Sequence, residues 1–572
     1  MPLYLKKLNS TGRETYLYYP DIPNRNAFKV SSITVLRESA DKESVQELLD
    51  LGLAALAEEK KLILSFPNPL QGGWNWKLDP EGPDDIAALR ELQDGMTRPD
   101  DKPFELNSLG IPTLRAMLST WHPMNDTKYW IGIGQGASMA YAMAAVRPED
   151  VAAVLGIGGE LDSDVSKKGV MAPVPAYLAG ACGEAQDYLV RACQAVPKSE
   201  DDAEKIFQNE INKSQFVTVS KNFRKFEGEL LRRAWDTCFA RVRRLNTGAH
   251  GDSGLRIHME DPGFSWFLED DSLDGRPHTW LVHVPGRIRE RMTSGIQEKD
   301  VPLMVFYHGG SDNPQEAAEM SRFHEVGERE GFITVYPWGS DRAGWNSSMD
   351  PDVEEDVEFC RALILRILRD YPVDPARVYL SGFSNGAAMA QTVAMLYPEM
   401  IAAICHIDSN WPGSRVGASR VDYRDVIPMA LAMKKKETYD FRMPVWYTYG
   451  TGEVSYPVYR GCTQQHQYDF WKWYNHVEVR PTPPAEAPHP CGCGVEGDEV
   501  EELYPTPVYP RHYYQVNRFY TMDAEPQNYY NYVMMHDKGH EVAPMDAELG
   551  WRYVRQFRRN EDGSVGRVQA GG

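Results

Sequence analysis

The sequence is poor in several features that would each mark a specialised class. None of its 572 residues fall in an apolar run approaching the roughly 20 of a membrane span, so no membrane partner is expected. The N-terminus, "MPLYLKKLNSTGRETYLYYP", lacks the apolar core of a signal peptide and reads straight into a strand, which predicts a cytoplasmic location. Cysteine is scarce, 8 in all, which excludes a disulfide scaffold. Cys182, Cys193, Cys238, Cys360 and Cys405 read as buried thiols. Cys462, Cys491 and Cys493 share one segment, but "CGCG" lacks the two-residue spacing and second ligand pair of structural zinc. No metal and no cofactor is therefore expected. Positive charge is also short: 61 Lys and Arg against 82 Asp and Glu leave a formal net charge of −21. Phosphate binding needs clustered Lys and Arg, so nucleic acid is not the expected partner, and the acid excess reads as a solubilising surface. A homo-oligomer stays open.

What is present is an internal repeat. Residues 129–159, "YWIGIGQGASMAYAMAAVRPEDVAAVLGIGG", align without a gap on 379–409, "YLSGFSNGAAMAQTVAMLYPEMIAAICHIDS". Gly132, Gly136, Met139 and Pro148 match Gly382, Gly386, Met389 and Pro398. Upstream, "LILSFPNPLQGGWNW" at 62–76 echoes "FITVYPWGSDRAGWN" at 332–346. Two anchors in the same order imply duplication of a whole domain.

Each half alternates short β-branched or aromatic runs with longer helical patterns. In the second half "PLMVFYH", "FITVYP", "RVYLSG", "PVWYTYG" and "YYNYVMMH" read as strands. "PQEAAEMSRFHEVGERE" and "DVEEDVEFCRALILRILRDY" read as helices, and "YDFWKWYNH" as an amphipathic helix face. The alternation predicts an α/β protein of two tandem domains, each a mostly parallel sheet with helices on both faces. Turn-rich stretches near 250–270 place the junction, giving domains 1–255 and 256–572. The acidic, Pro-rich "RPTPPAEAPHPCGCGVEGDEVEELYPTP" marks an insertion near 457–525.

"GFSNG" (382–386) is G-x-S-x-G after an apolar strand and before an Ala-rich helix, the context a nucleophile elbow requires. It nominates Ser384. A serine hydroxyl is a weak nucleophile until a base takes its proton. "DKGHEVAP" supplies His540 in a loop after the last strand, whereas His536, at the strand end, reads as structural. Glu453, in the turn after "VWYTYG", can orient the imidazole, with Asp408 as the competing acid. The oxyanion donors are the N–H of Asn385 and that of Gly310 or Ser311, in the glycine loop after "PLMVFYH". Trp345 and His308 are candidates for the substrate wall, with core packing the competing role for Trp345.

Taken together, "VPLMVFYHGGSD", "EREGFITVYPWGSDRAGWN", the segment ending "YLSGFSNGAAMA", "YGTGE" and "GHEVAP" resemble the polyhydroxybutyrate depolymerase / feruloyl esterase-like branch of the α/β-hydrolases. The resemblance covers most of residues 275–560. It implies a carboxylesterase acting on aryl, acetyl or polyester esters, with its nucleophile on Ser384 and its histidine on His540. The acid motif of that branch is closer to G-T-x-D, where this chain has Gly450-Thr451-Gly452-Glu453. A polyester depolymerase of the same mechanism, a serine peptidase and a non-catalytic scaffold are the alternatives.

The first half has the turn without the chemistry. Gly134 stands in the place of Ser384, and Ser138 lies a turn into the helix. "TVLRESA" replaces the glycine loop, Glu184 alone sits near the acid's place, and no loop histidine answers His540. The first domain is therefore expected to be a non-catalytic copy.

Overall fold

The computed structural model describes residues 3–8, 11–20, 29–70, 73–78, 82–94, 122–245, 250–295, 298–310, 312–340, 344–409, 412, 423–451, 463–479, 497–503, 513–536 and 538–568. The chain divides into two compact units, Met1–Arg256 and Ile257–Gly572.

In the first unit the strands are β1 (Tyr4–Lys7), β2 (Glu14–Tyr18), β3 (Lys29–Leu36), β4 (Ile63–Pro67), β5 (His122–Ile133), β6 (Ala153–Ile157), β7 (Ala176–Ala179), β8 (Val196–Glu200), β9 (Glu204–Gln208) and β10 (Phe216–Ser220). They form one sheet in the order β1-β2-β4-β3-β5-β6-β7-β10-β9-β8. A separate ribbon pairs β11 (Val242–Leu245) with β12 (Asp252–Leu255).

The second unit has β13 (Phe264–Asp270), β14 (His278–His283), β15 (Val301–Tyr307), β16 (Ile333–Pro337), β17 (Val373–Phe383), β18 (Ala403–Ile407), β19 (Val445–Gly450), β20 (Glu499–Leu503), β21 (Tyr514–Tyr520) and β22 (Asn528–Met535). Their order, β13-β14-β16-β15-β17-β18-β19-β22-β21-β20, repeats that of the first unit position for position. From β16 to β22 neighbours run parallel, and antiparallel strands finish both edges.

Side chains alternate across each strand, and each ten-stranded sheet has a core on each face. In β15, Leu303, Val305 and Tyr307 join one buried cluster with the helices Val357–Asp370, Asn385–Leu396 and Thr463–Tyr474. Met304 and Phe306 join the other, with the helices Phe323–Glu330 and Pro544–Val554. Strands buried on both faces explain the continuous apolar runs in the sequence.

Two expectations are corrected. The helix read over 314–330 is two helices, Pro314–Ser321 and Phe323–Glu330, because Arg322 between them is left-handed at φ 57°. There its guanidinium pairs with Glu325, and the amide two residues on, His324 N–H, donates to the Tyr336 hydroxyl at 3.0 Å. The insertion near 457–525 is also drawn too wide. It includes the helix Thr463–Tyr474, whose Phe470 and Trp471 are fully buried, and the sheet strands β20 and β21. Cys462, Cys491 and Cys493 lie outside the described residues. The other five cysteines are free, buried thiols. Among the described residues no helix is long and apolar enough to cross a membrane, and no group of three His, Cys, Asp or Glu could hold a metal ion.

Candidate active site

The elbow is a packing problem that its two flanking glycines solve. β17 ends at Phe383, and the helix Asn385–Leu396 begins two residues later. Ser384 turns the chain at φ 54° and ψ −117°, a region that side-chain-bearing residues seldom occupy. Its N–H donates to Ile407 O at 3.1 Å, and its carbonyl accepts from the Ala387 and Ala388 amides. A methyl group at Gly382 would lie 2.5 Å from Gly386 O, and one at Gly386 would lie 2.2 Å from both Tyr307 O and His308 O. The two glycines thus let the helix press against the ends of β17 and β15, which leaves Ser384 half-buried at the carboxyl edge of the sheet.

His540 reaches this point from the loop after β22. Its Nε2 lies 2.8 Å from Ser384 Oγ, and its ring packs on Phe383 with centroids 4.7 Å apart. His536 takes no part. It stacks on Tyr513 at 3.9 Å, and its N–H donates to Tyr513 O, as a strand-end residue should. The loop of His540 lies tight against the end of β19, where a methyl at Gly450 would be 2.5 Å from Lys538 O.

Asp408, the competing acid, is buried. Its Oδ1 accepts the Gly450 N–H at 2.8 Å, and its Oδ2 accepts the Glu541 N–H at 3.2 Å and faces Lys538 Nζ at 2.8 Å. Lys538 also lies 3.3 Å from Asp546, and all three side chains are fully buried. Burial works against the Lys538 charge, but the two carboxylates outweigh it and its pKa is raised. Burial raises Asp546 above the usual carboxylate range. Sequence reasoning quoted Lys538 without using it and missed Asp546, since neither type nor spacing distinguishes them from solvated loop charges. Glu453 and Ser311 lie outside the described residues.

On the oxyanion side, Asn385 and Gly386 open the helix, so their N–H groups have no carbonyl one turn earlier to bond. They point with the positive end of the helix dipole toward the space beside Ser384. Gly310 sits in an exposed turn after β15. The Asn385 side chain has a second task that the motif did not announce: its Oδ1 accepts the Trp345 N–H at 2.5 Å and holds the "GWN" loop to the elbow.

Both candidates for the substrate wall are buried: the expectation for His308 is corrected, and Trp345 takes the core-packing role weighed for it. Trp345 belongs to the core, and its Nε1–H donates to His308 O at 2.9 Å. His308 is fully buried. Its Nε2 accepts the Gly339 N–H at 3.0 Å and its Nδ1 lies 2.6 Å from Gly309 O, so the ring is the Nδ1–H tautomer, spent on shaping the glycine loop.

The first unit reproduces the backbone turn and several bonds of this frame. Gly134 has φ 59° and ψ −122°, nearly the angles of Ser384. Its N–H donates to Ile157 O at 3.0 Å. Trp74 Nε1–H donates to Arg37 O at 2.8 Å, and Asn75 N–H to Asp85 at 2.8 Å, as Asn346 N–H does to Asp356. Ser138 Oγ accepts the Glu160 N–H, and Glu184 is held by Ser166 and Arg191.

Comparison with known proteins adds four findings. Residues 290–414 match the family model described as Esterase PHB depolymerase, the branch the motifs resemble. A Nocardia uniformis subsp. tsuyamanensis protein named as an esterase, NocK, is 29% identical over 116 residues, 19% of this chain and 33% of that one. Poly(3-hydroxyalkanoate) depolymerase C of Paucimonas lemoignei is 30% identical over 134 residues, 22% of this chain and 31% of its own length. The chain thus spans about a third of these relatives' length. Among solved structures, an acetyl xylan esterase from Aspergillus awamori aligns over 51% of this chain and 98% of its own, with a TM-score of 0.33 and 14% identity.

Proposed function

We propose that the second unit is a serine carboxylesterase and the first a non-catalytic copy of it. Ser384 Oγ attacks the ester carbonyl while its proton passes to His540 Nε2, and the developing oxyanion is met by the N–H groups of Asn385 and of Gly310 or Ser311. The alcohol leaves with the proton from His540, and an acyl-enzyme remains on Ser384. Water then attacks with His540 as base, releasing the acid and the free serine. Glu453 is assigned to hold the imidazole in its working tautomer.

The observation that carries the reading is the 2.8 Å approach of His540 Nε2 to Ser384 Oγ, on a serine held at φ 54° between two sterically required glycines. Similarity to esterases over the elbow region supports the ester class. Acetyl, feruloyl and polyester esters are the candidate substrates. A panel of p-nitrophenyl acetate, methyl ferulate and a polyester film distinguishes them. The decisive experiment is labelling with a fluorophosphonate: the wild type reacts and Ser384→Ala does not. A wild type that fails to react refutes the reading.

A further inference from the structure

We propose that Asp408 and Lys538 form a buried clamp that positions His540, with Asp408 a positioning residue and not the acid of the triad. The inference rests on the Ser384–His540 reading above. One oxygen of Asp408, Oδ2, grips the chain on both sides of the histidine: it faces Lys538 Nζ, two residues before His540, and accepts the N–H of Glu541, the residue after it. The other oxygen takes the N–H of Gly450, where β19 ends and the chain runs on toward Glu453. A single carboxylate therefore ties the base loop to the start of the acid loop. Lys538 extends the tie to Asp546, whose Oδ2 accepts the Ala543 N–H at the head of the helix Pro544–Val554.

Two further observations separate a clamp from an ordinary buried ion pair. Asp408 is left-handed at φ 44°, a conformation that favours glycine, and Gly158 at φ 66° fills the matching place in the first unit. The second unit accepts the strain of a side chain there. The first unit has no loop histidine after its last parallel strand and no carboxylate at 158, so clamp and histidine are absent together. An ammonium fully buried between two carboxylates is also costly to remove, because its loss leaves both carboxylates buried without a counter-charge.

The test uses the full chain, with active sites counted by fluorophosphonate so that rates refer to competent molecules. Lys538→Met, Asp408→Asn and the double variant are compared in p-nitrophenyl acetate hydrolysis across pH and in amide hydrogen exchange at Gly450 and Glu541. The clamp predicts kcat lowered about 10- to 100-fold with KM little changed. It predicts a double variant no worse than the poorer single, faster exchange at both amides, and an acid limb of the pH–rate profile left in place. If Asp408 is the triad acid, Asp408→Asn moves that limb. Unaltered kcat or unaltered exchange in Lys538→Met overturns the clamp, as does a moved limb in Asp408→Asn. The exchange readout needs no turnover, so a wild type inert to fluorophosphonate sinks the esterase reading while exchange still decides the clamp. Should two buried carboxylates without their ammonium prevent Lys538→Met from folding, the double variant, in which Asp546 alone remains and burial favours its neutral form, carries the same readouts.

Discussion

Ser384 and Gly386 face opposite constraints within one turn. Ser384 bears a side chain where the backbone favours none, at a cost of about 1–3 kcal/mol. Gly386 has no side chain because the carbonyls of Tyr307 and His308 leave no room for one. Gly386→Ala should therefore lower stability by about 1–3 kcal/mol or more and suppress fluorophosphonate labelling together, since relief of the clash moves the helix whose first N–H groups face the oxyanion. Gly136→Ala in the first unit, where a methyl would lie 2.1 Å from Leu36 O, should cost comparable stability with labelling of Ser384 retained. Thermal melting and labelling on both variants check this, and loss of labelling in Gly136→Ala would count against it. At this scale the elbow is legible because its determinants lie within five consecutive residues. His308 and Trp345 are not, because sequence shows an aromatic or a histidine near a site but not which way the side chain turns.

At the scale of elements, the repeat explains why a serine-less elbow persists. The turn at Gly134 keeps the helix Gln135–Val146 against β3 and β5, and the bonds of Trp74 and Asn75 hold the same frame as Trp345 and Asn346. The frame is a folding requirement, whereas the serine is not. Gly134→Ser should accordingly create no second site: a side chain there starts 3.3 Å from Glu38 Oε1, with no loop histidine to activate it. In a Ser384→Ala background this variant should neither label nor hydrolyse p-nitrophenyl acetate, and turnover above the Ser384→Ala level would refute the assignment of the first unit. Element existence was legible from the alternation of apolar runs. The break at Arg322 was not, because the helical pattern continues through it and only the Tyr336 and Glu325 contacts select the left-handed turn.

At the scale of the molecule, the second unit carries three histidines whose pKa values are pushed down to about 3. Burial lowers His283, with His324 adding to it; burial lowers His324, with Arg322 adding; and burial alone lowers His406. The unfolded chain takes up protons below the ordinary value of 6.5, while the folded unit resists until about 3. Unfolding therefore binds protons across that window, and stability falls as pH drops through it, by on the order of a few kcal/mol per histidine. Urea midpoints measured from pH 7 to pH 4 should show the second unit weakening. His406→Phe, whose ring can keep the stack on Tyr447, should flatten the slope; an unchanged slope would rule out His406 as a contributor.

The sequence by itself determined the two-fold repeat, the α/β alternation, the elbow and the histidine after the last strand, because each is written in neighbouring residues or in a period along the chain. Only the tertiary structure decided what Asp408 holds. Its partners at Gly450, Lys538 and Glu541 come from the ends of β19 and the loop after β22, far along the chain from β18. Parallel strands bring those ends to one edge of the sheet, and burial makes their pairing obligatory. Nothing in the local pattern of an Asp, a Lys or a Gly records such a meeting, because it is set by strand order and not by spacing.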